Sequence, residues 1–366
     1  MGVKRLLGLA TQWLLARVLR YDLMLLTIVM CLITVGFITL FSAGYSFPWR
    51  IEDQMRNIIV ALTAMFIVSF VPIRWVRKVS VAAFAAGCLL LLATELVGVT
   101  VKGATRWLDI GVRIQPSEIM KLAVPMMLAW YYWKRAEQTV WWDHLLALAI
   151  LSVPVAFILK QQVVGTAILV SIAGLAVIFF AGINAKLVTA CCAIGIALMP
   201  LLWTMLHDYQ RERILTLIDP TLDPLGKGFH TLQALIAIGS GGLSGKGWME
   251  GTHLDFIPER TSDFIFAVFG EEFGFVGGVL LLILYLSLIA RSFYIAAHAR
   301  SRYARLLAAA IGVIFFTYSF VNIGMVSGIL PVVGVPLPFM SYGGTALLIL
   351  GICTGILLSI SVDAKD

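Results

Sequence analysis

Residues 254–290 read LDFIPERTSDFIFAVFGEEFGFVGGVLLLILYLSLIA, a charged mouth leading into a long apolar run. From 264 to 290 the run is long enough to cross about 30 Å of hydrocarbon as an α-helix, a structure that satisfies its own backbone hydrogen bonds in lipid. Just before it stand His253, Asp255, Glu259, Arg260 and Asp263. A charge facing lipid is costly, so carboxylates kept beside a bilayer point to chemistry or binding.

The rest of the chain repeats the apolar pattern. Of its residues 60% are apolar and only 13% charged, and the mean hydropathy is +0.96, far from the roughly 25% charged content of soluble domains. Apolar runs lie near 23–42, 57–73, 79–98, 117–133, 145–159, 163–182, 187–206, 264–290, 306–328 and 342–361. The expected fold is therefore all-α, a polytopic membrane protein of about ten transmembrane helices in a single integral membrane domain, 1–366.

Lysine and arginine set the orientation. Loops taken alternately carry about 15 of them in the set that includes the N-terminus and about 6 in the other, with 207–263 left out as too long to count. Both termini are then expected in the cytoplasm, and 207–263 becomes a large extracytoplasmic loop between helices 7 and 8. The net charge of +7 is absorbed by this topology, and no aromatic and basic module calls for nucleic acid. Residues 1–21 carry Lys4, Arg5, Arg17 and Arg20 around apolar turns without a small-residue cleavage site, which reads as an interfacial segment. Cys31, Cys88, Cys191, Cys192 and Cys353 all fall in expected spans and read as packing residues.

Three segments that this topology places on the outer face interrupt the apolar pattern. Residues 103–123, GATRWLDIGVRIQPSEIMKLA, offer Arg106 and Trp107 as a cationic and aromatic pair, Pro116 as a helix start and Ser117 as a cap. Glu118 and Lys121 share a helix face three residues apart, either as a structural ion pair or as part of a site. Residues 226–251 contain seven glycines between Gly226 and Gly247, a density that suits a flexible surface loop or a backbone cradle for phosphate oxygens. At the end of this loop Asp263 is either the cap of the next helix or a general base with a pKa raised by burial. Glu271 and Glu272, two turns further in, are expected to face protein interior, either as core ion-pair partners or as part of the pocket. Residues 322–346, NIGMVSGILPVVGVPLPFMSYGGTA, combine Pro331, Pro336 and Pro338 with Ser341 and Tyr342, a re-entrant or broken-helix signature. His230 and His253 lack metal-site spacing.

Taken together, these blocks resemble the SEDS family of bacterial cell-wall proteins (shape, elongation, division and sporulation). The RWL, QPSE and KLA motifs, the IAIGSGG and GKGW block, PER followed two residues later by DFIFA and EEFG, and the run from Asn322 through SYGGT occur in family order. The match spans about residues 22–362, and the compact length resembles the elongation member more than the division member. The resemblance implies a multi-pass protein of the bacterial cytoplasmic (inner) membrane. Its implied activity is that of a peptidoglycan glycosyltransferase, which polymerises lipid II on the outer face. The implied partners are a class B penicillin-binding protein that cross-links the strands and other proteins of the elongation complex.

By the same resemblance the family's aspartate falls on Asp263, its arginine and tryptophan on Arg106 and Trp107, and its glutamate and lysine on Glu118 and Lys121. Glu259, Arg260, Ser341 and Tyr342 join them as expected substrate contacts. The chain departs from the family where KQPDLGT becomes KQQVVGT, placing Gln162 and Val163 at the proline and aspartate positions. Thr261 and Ser262 replace the usual histidine and threonine, and the loop around Gly251–Leu254 looks about two residues short.

Inverting displacement at an α-linked sugar diphosphate needs one base, assigned to Asp263. It needs cations for the leaving group more than an acid, and Arg106, Lys121 and Arg260 are the candidates. Mg²⁺ or Mn²⁺ is compatible with this chemistry, although the sequence shows no dedicated oxygen cage. Two rival readings are a lipid II flippase, whose polar residues should line both membrane faces, and a non-catalytic scaffold for the cross-linking partner, suggested by Val163.

Overall fold

The computed structural model describes residues 17, 19–101, 104–109, 111, 113–135, 140–161, 163–183, 189, 193, 197, 204, 211, 227–257 and 259–365. Ten α-helices are found among them: α1 (Leu23–Ala43), α2 (Pro48–Ser69), α3 (Ile73–Val97), α4 (Pro116–Lys134), α5 (Trp141–Lys160), α6 (Val164–Phe180), α7 (Lys227–Ser240), α8 (Ile265–His298), α9 (Arg302–Val326) and α10 (Gly344–Lys365). Six of these, α1, α3, α5, α8, α9 and α10, are long and apolar enough to cross a membrane by length and composition. The others miss that measure for visible reasons: α2 opens with Arg50, Glu52, Asp53 and Arg56, α4 holds Glu118 and Lys121, and α6 and α7 have only 17 and 14 residues.

The expected span at 187–206, with Cys191 and Cys192, lies outside the described residues apart from isolated positions, as do residues 1–16, Gln162 and Pro258. Two features differ from the sequence expectation. Residues 227–240 of the expected outer loop form α7, whose apolar LQALIAI segment buries Ala234 and Ala237. Between α3 and α4 the chain forms a small antiparallel sheet, β1 (Val99–Val101), β2 (Ala104–Asp109) and β3 (Arg113–Ile114), with Val99 opposite Trp107 and Leu108 opposite Ile114.

Proline at the first helical position starts α2 and α4, where the missing amide costs nothing. Gln115, rather than Ser117, is the N-cap of α4. Small residues then set how closely helices approach, the main packing device where lipid is as apolar as the side chains. On α10, Gly351 and Gly355 are four apart, and a Cβ on either would stand 2.6 and 2.5 Å from the carbonyl oxygens of Ala61 and Met65 on α2.

The long helix α8 is broken once. Gly274 has φ 64 and ψ −163, which frees the carbonyls of Glu271 and Glu272 and the amides of Phe275 and Val276. The glycine-rich loop after α7 satisfies all four. Lys246 and Gly247 donate to the two carbonyls at 3.0 and 3.1 Å, and Phe275 and Val276 donate to Gly242 and Leu243 at 2.9 and 3.1 Å. These loop amides therefore complete a broken helix, and the phosphate-cradle reading does not apply to them. The carboxylates of Glu271 and Glu272, both buried, fasten the same loop: Glu271 accepts from Lys246 Nζ at 2.7 Å and Thr252 N at 3.0 Å, and Glu272 from Met249 N and the Ser42 hydroxyl.

The helices define two ends. At one, Arg260 on the segment before α8 reaches Ala43 at the end of α1, and Arg50 at the start of α2 reaches Thr261. At the other, Arg17 bonds Ser69 at the end of α2, and Asp22 pairs with Arg291 near the end of α8. Glu259, Asp263 and Tyr342 lie at the first end, and Arg74, Arg300 and Arg302 at the second.

Candidate active site

A cavity of about 770 Å³ opens at the Asp263 end, lined by residues from four places in the chain. The first three turns of α2 supply Trp49, Arg50, Asp53, Arg56 and Asn57, β2 supplies Trp107, and the loops before α8 and α10 supply Glu259, Ser262, Tyr342 and Gly343. The α2 residues repeat at helical spacing, so one face of an amphipathic helix start presents its polar groups to the cavity.

Asp263 directly follows the lining residue Ser262 and is half-buried, though it is not itself one of the residues that line the cavity. The capping alternative is not realised: Phe264 is the N-cap of α8, and no side chain caps that helix. Three bonds hold the turn. Asn322 of α9 donates to the Asp263 carbonyl at 2.9 Å, Ser341 Oγ donates to the Ser262 carbonyl at 2.6 Å, and the Tyr342 amide donates to the Thr261 carbonyl at 2.8 Å. Gly334, at φ +68, passes so close that a Cβ there would lie 3.2 Å from Asp263 Oδ2. The segment between α9 and α10 is irregular but enclosed by protein, with Val335, Leu337, Phe339 and Met340 buried, as a re-entrant element requires.

Arg50 is the best-anchored cation at the cavity. Its Nη1 donates to Thr261 Oγ1 at 2.5 Å, and its guanidinium lies 5.2 Å from the Trp49 ring centre and 5.9 Å from that of Tyr342. Arg56 pairs with Asp53 and remains largely exposed. Burial raises the Tyr342 phenol above its usual value, with the Asp53 carboxylate adding to the effect, so the ring stands in the site as a neutral donor and its hydroxyl donates to Asp53 at 3.4 Å. Aromatic faces with a fixed guanidinium suit a sugar bearing phosphate.

The sequence candidates divide by position. Trp107, Glu259 and Tyr342 line the cavity. Glu259 adopts φ 53, unusual for a residue other than glycine, and accepts from Ser262 Oγ at 3.1 Å. Ser341 is buried and braces the Ser262–Asp263 turn. Arg106 precedes Trp107 on β2 and so projects to the opposite face of the strand, where its buried Nε has no hydrogen-bond partner among the described residues.

Glu118 and Lys121 form a closed triad with Tyr318: Lys121 Nζ donates to Glu118 Oε1 at 2.5 Å and to the Tyr318 hydroxyl at 2.6 Å, and that hydroxyl donates to Glu118 Oε2 at 3.1 Å. Lys121 is 2% exposed and lines no part of the cavity. Arg260 is likewise spent, on Ala43 O, Leu254 O, Asp255 and Ser46. Val163 is the N-cap of α6 and packs on the main core.

The residues that sequence reading passed over are Arg50, Asp53 and Arg56. Their signal is a cluster of mixed charges at 50–56, two acids between two arginines, immediately before an apolar run. Among the described residues no three His, Cys, Asp or Glu side chains converge as a metal-holding group.

Comparison with known proteins places this architecture. The sequence profile of the FtsW/RodA/SpoVE cell cycle protein family matches residues 14–366. The chain is 43% identical over 348 residues, 94% of either chain, to the peptidoglycan glycosyltransferase MrdB of Escherichia coli strain K12. It is 32% identical over 361 residues to the probable peptidoglycan glycosyltransferase FtsW of Geobacter metallireducens, covering 94% of this chain and 96% of that one. A solved peptidoglycan synthase complex, described as coordinating polymerization and crosslinking, superposes with a TM-score of 0.83 at 30% identity over 94% of this chain and 99% of that one. The rod shape determining protein RodA of Thermus thermophilus superposes with a TM-score of 0.72 at 28% identity, over 94% and 98% of the two chains.

Proposed function

This chain belongs to the FtsW/RodA/SpoVE family of cell cycle proteins, and from that premise we propose that it is a multi-pass membrane peptidoglycan glycosyltransferase that polymerises lipid II into glycan strands during elongation. The single observation that carries the reading is the cavity at the Ser262–Asp263 turn, with a fixed guanidinium and three aromatic rings around it.

In the reaction the acceptor's 4-hydroxyl attacks the anomeric carbon of the donor sugar. The new carbon–oxygen bond forms as the bond to the diphosphate breaks, with inversion, and undecaprenyl pyrophosphate leaves. Asp263 takes the hydroxyl proton, general-base work that contributes roughly 10²–10⁴-fold. Arg50 and Arg56, which line the cavity, neutralise the departing diphosphate, a role that Lys121 and Arg260, buried elsewhere with their own partners and lining no part of it, do not share. Trp107 and Tyr342 stack on the sugars. A Mg²⁺ or Mn²⁺ ion arriving with the diphosphate would take phosphate oxygens and one or two carboxylates, for which Asp263 and Glu259 are candidates.

The cluster of arginines at the end away from the cavity favours that end in the cytoplasm, with the cavity at the outer face of the cytoplasmic membrane. The likeness to a synthase complex supports a class B penicillin-binding protein as partner. A flippase would need polar groups lining both ends of one path, and a scaffold would need no cation anchored to the Thr261–Asp263 turn. Purified chain with its class B partner, supplied with lipid II, should yield glycan polymer. Movement of lipid II across liposomes without any polymer would favour the transporter reading.

A further inference from the structure

At the end opposite Asp263, four chain segments close around a second cavity of about 410 Å³. Arg17 comes from the segment before α1, Arg74 from the first turn of α3, Arg300 and Ser301 from the α8–α9 turn, and Asp363 from the last turn of α10. Pro72, Ile73, Ala304 and Ile360 give the cavity apolar walls. Three arginines and one aspartate thus line the same cavity.

That carboxylate is already engaged. Asp363 lies 3.9 Å from Arg17 Nη2 and accepts from the Ile73 amide at 3.4 Å. Arg17 also donates from Nε and Nη2 to the Ser69 carbonyl at 3.4 and 3.2 Å, which fixes its position. Arg74 and Arg300 are different: both are exposed at the cavity, and neither has an acidic or hydrogen-bonding partner among the described residues. Two unneutralised cations over apolar walls at the ends of membrane helices match an amphiphile whose head is an anionic phosphate and whose tails are apolar. Basic pockets between helices on the cytoplasmic side take such heads.

We propose that this cavity binds an anionic phosphate group, with the headgroup of an anionic phospholipid as its source, held by Arg74 and Arg300 against the fixed Arg17. The site is separate from the glycan chemistry, and its occupancy does not depend on Asp263.

The test uses the full-length protein in detergent, with phosphatidylglycerol titrated and bound lipid counted by native mass spectrometry. The paired variant Arg74→Gln/Arg300→Gln should bind phosphatidylglycerol about tenfold or more weakly than wild type. A control pair, Lys78→Gln/Arg305→Gln, removes the same charge from exposed positions that do not line the cavity and should bind as wild type does. Phosphatidylcholine should bind equally weakly to all three. Competition by millimolar inorganic phosphate would assign the same site to a soluble phosphate; lack of competition supports the lipid. Equal phosphatidylglycerol affinity in wild type and the Arg74/Arg300 variant, or equal loss in the control pair, would overturn the proposal.

Discussion

The side-chain amide of Asn322 donates to the backbone carbonyl of Asp263 at 2.9 Å while its other hydrogen reaches the Val335 carbonyl at 2.6 Å. One residue of α9 therefore ties the acidic turn to the irregular segment that passes beside the Asp263 carboxylate. Asn322→Ala removes both bonds and should lower lipid II polymerisation by about 100-fold, the scale of a misplacement near 1 Å. Membrane insertion and partner binding should persist, and a variant with wild-type turnover would show that the turn is held by other means.

Arg50 and Arg260 are both arginines near the acidic turn, but only Arg50 lines the cavity. Arg50→Ala should reduce polymerisation by about 10²-fold or more with a small change in unfolding temperature. Arg260→Ala should act mainly on stability, because it strips partners from two backbone carbonyls and a hydroxyl. Thermal unfolding measured beside turnover separates the two effects.

The triad of Glu118, Lys121 and Tyr318 makes a different demand. Lys121→Met leaves a buried carboxylate with one partner fewer and should destabilise by about 3–5 kcal/mol. Adding Glu118→Gln should restore much of that loss, since an uncharged pair avoids the orphaned charge. If the double variant regains stability but not activity, the pair has a catalytic duty beyond packing.

The loop that completes α8 depends on backbone contact. Gly242 and Gly245 both have positive φ, 55 and 80, but a Cβ at Gly242 would meet open space and one at Gly245 would stand 2.1 Å from Glu272 O. Gly242→Ala should cost only the left-handed penalty of about 1–2 kcal/mol. Gly245→Ala should cost more and lower the unfolding temperature further, because the clash is with backbone that cannot rotate away.

Much of this was legible in the chain. Hydropathy located α1, α3, α5, α6, α8, α9 and α10 because each holds a long apolar run, and the Pro116 signal located the start of α4. Position within a site was harder. Lys121, Arg106, Arg260 and Arg50 are equivalent as letters, and only tertiary contacts decide which guanidinium or ammonium is spent internally. The Gly-rich loop misled for a related reason: glycines that permit approach to a ligand permit approach to a broken helix equally well, and Gly274 chose the second. Arg50 and Arg56 were overlooked because α2 begins nine residues before its apolar run, near 57, so their spacing on one helix face was invisible.

The account is tested most directly by Asp263→Asn, which keeps the size of the side chain and its backbone bond to Asn322 while removing the base. Assayed on purified lipid II with the class B partner present, this variant should assemble the complex and make no detectable polymer. Polymerisation at the wild-type rate would contradict the account.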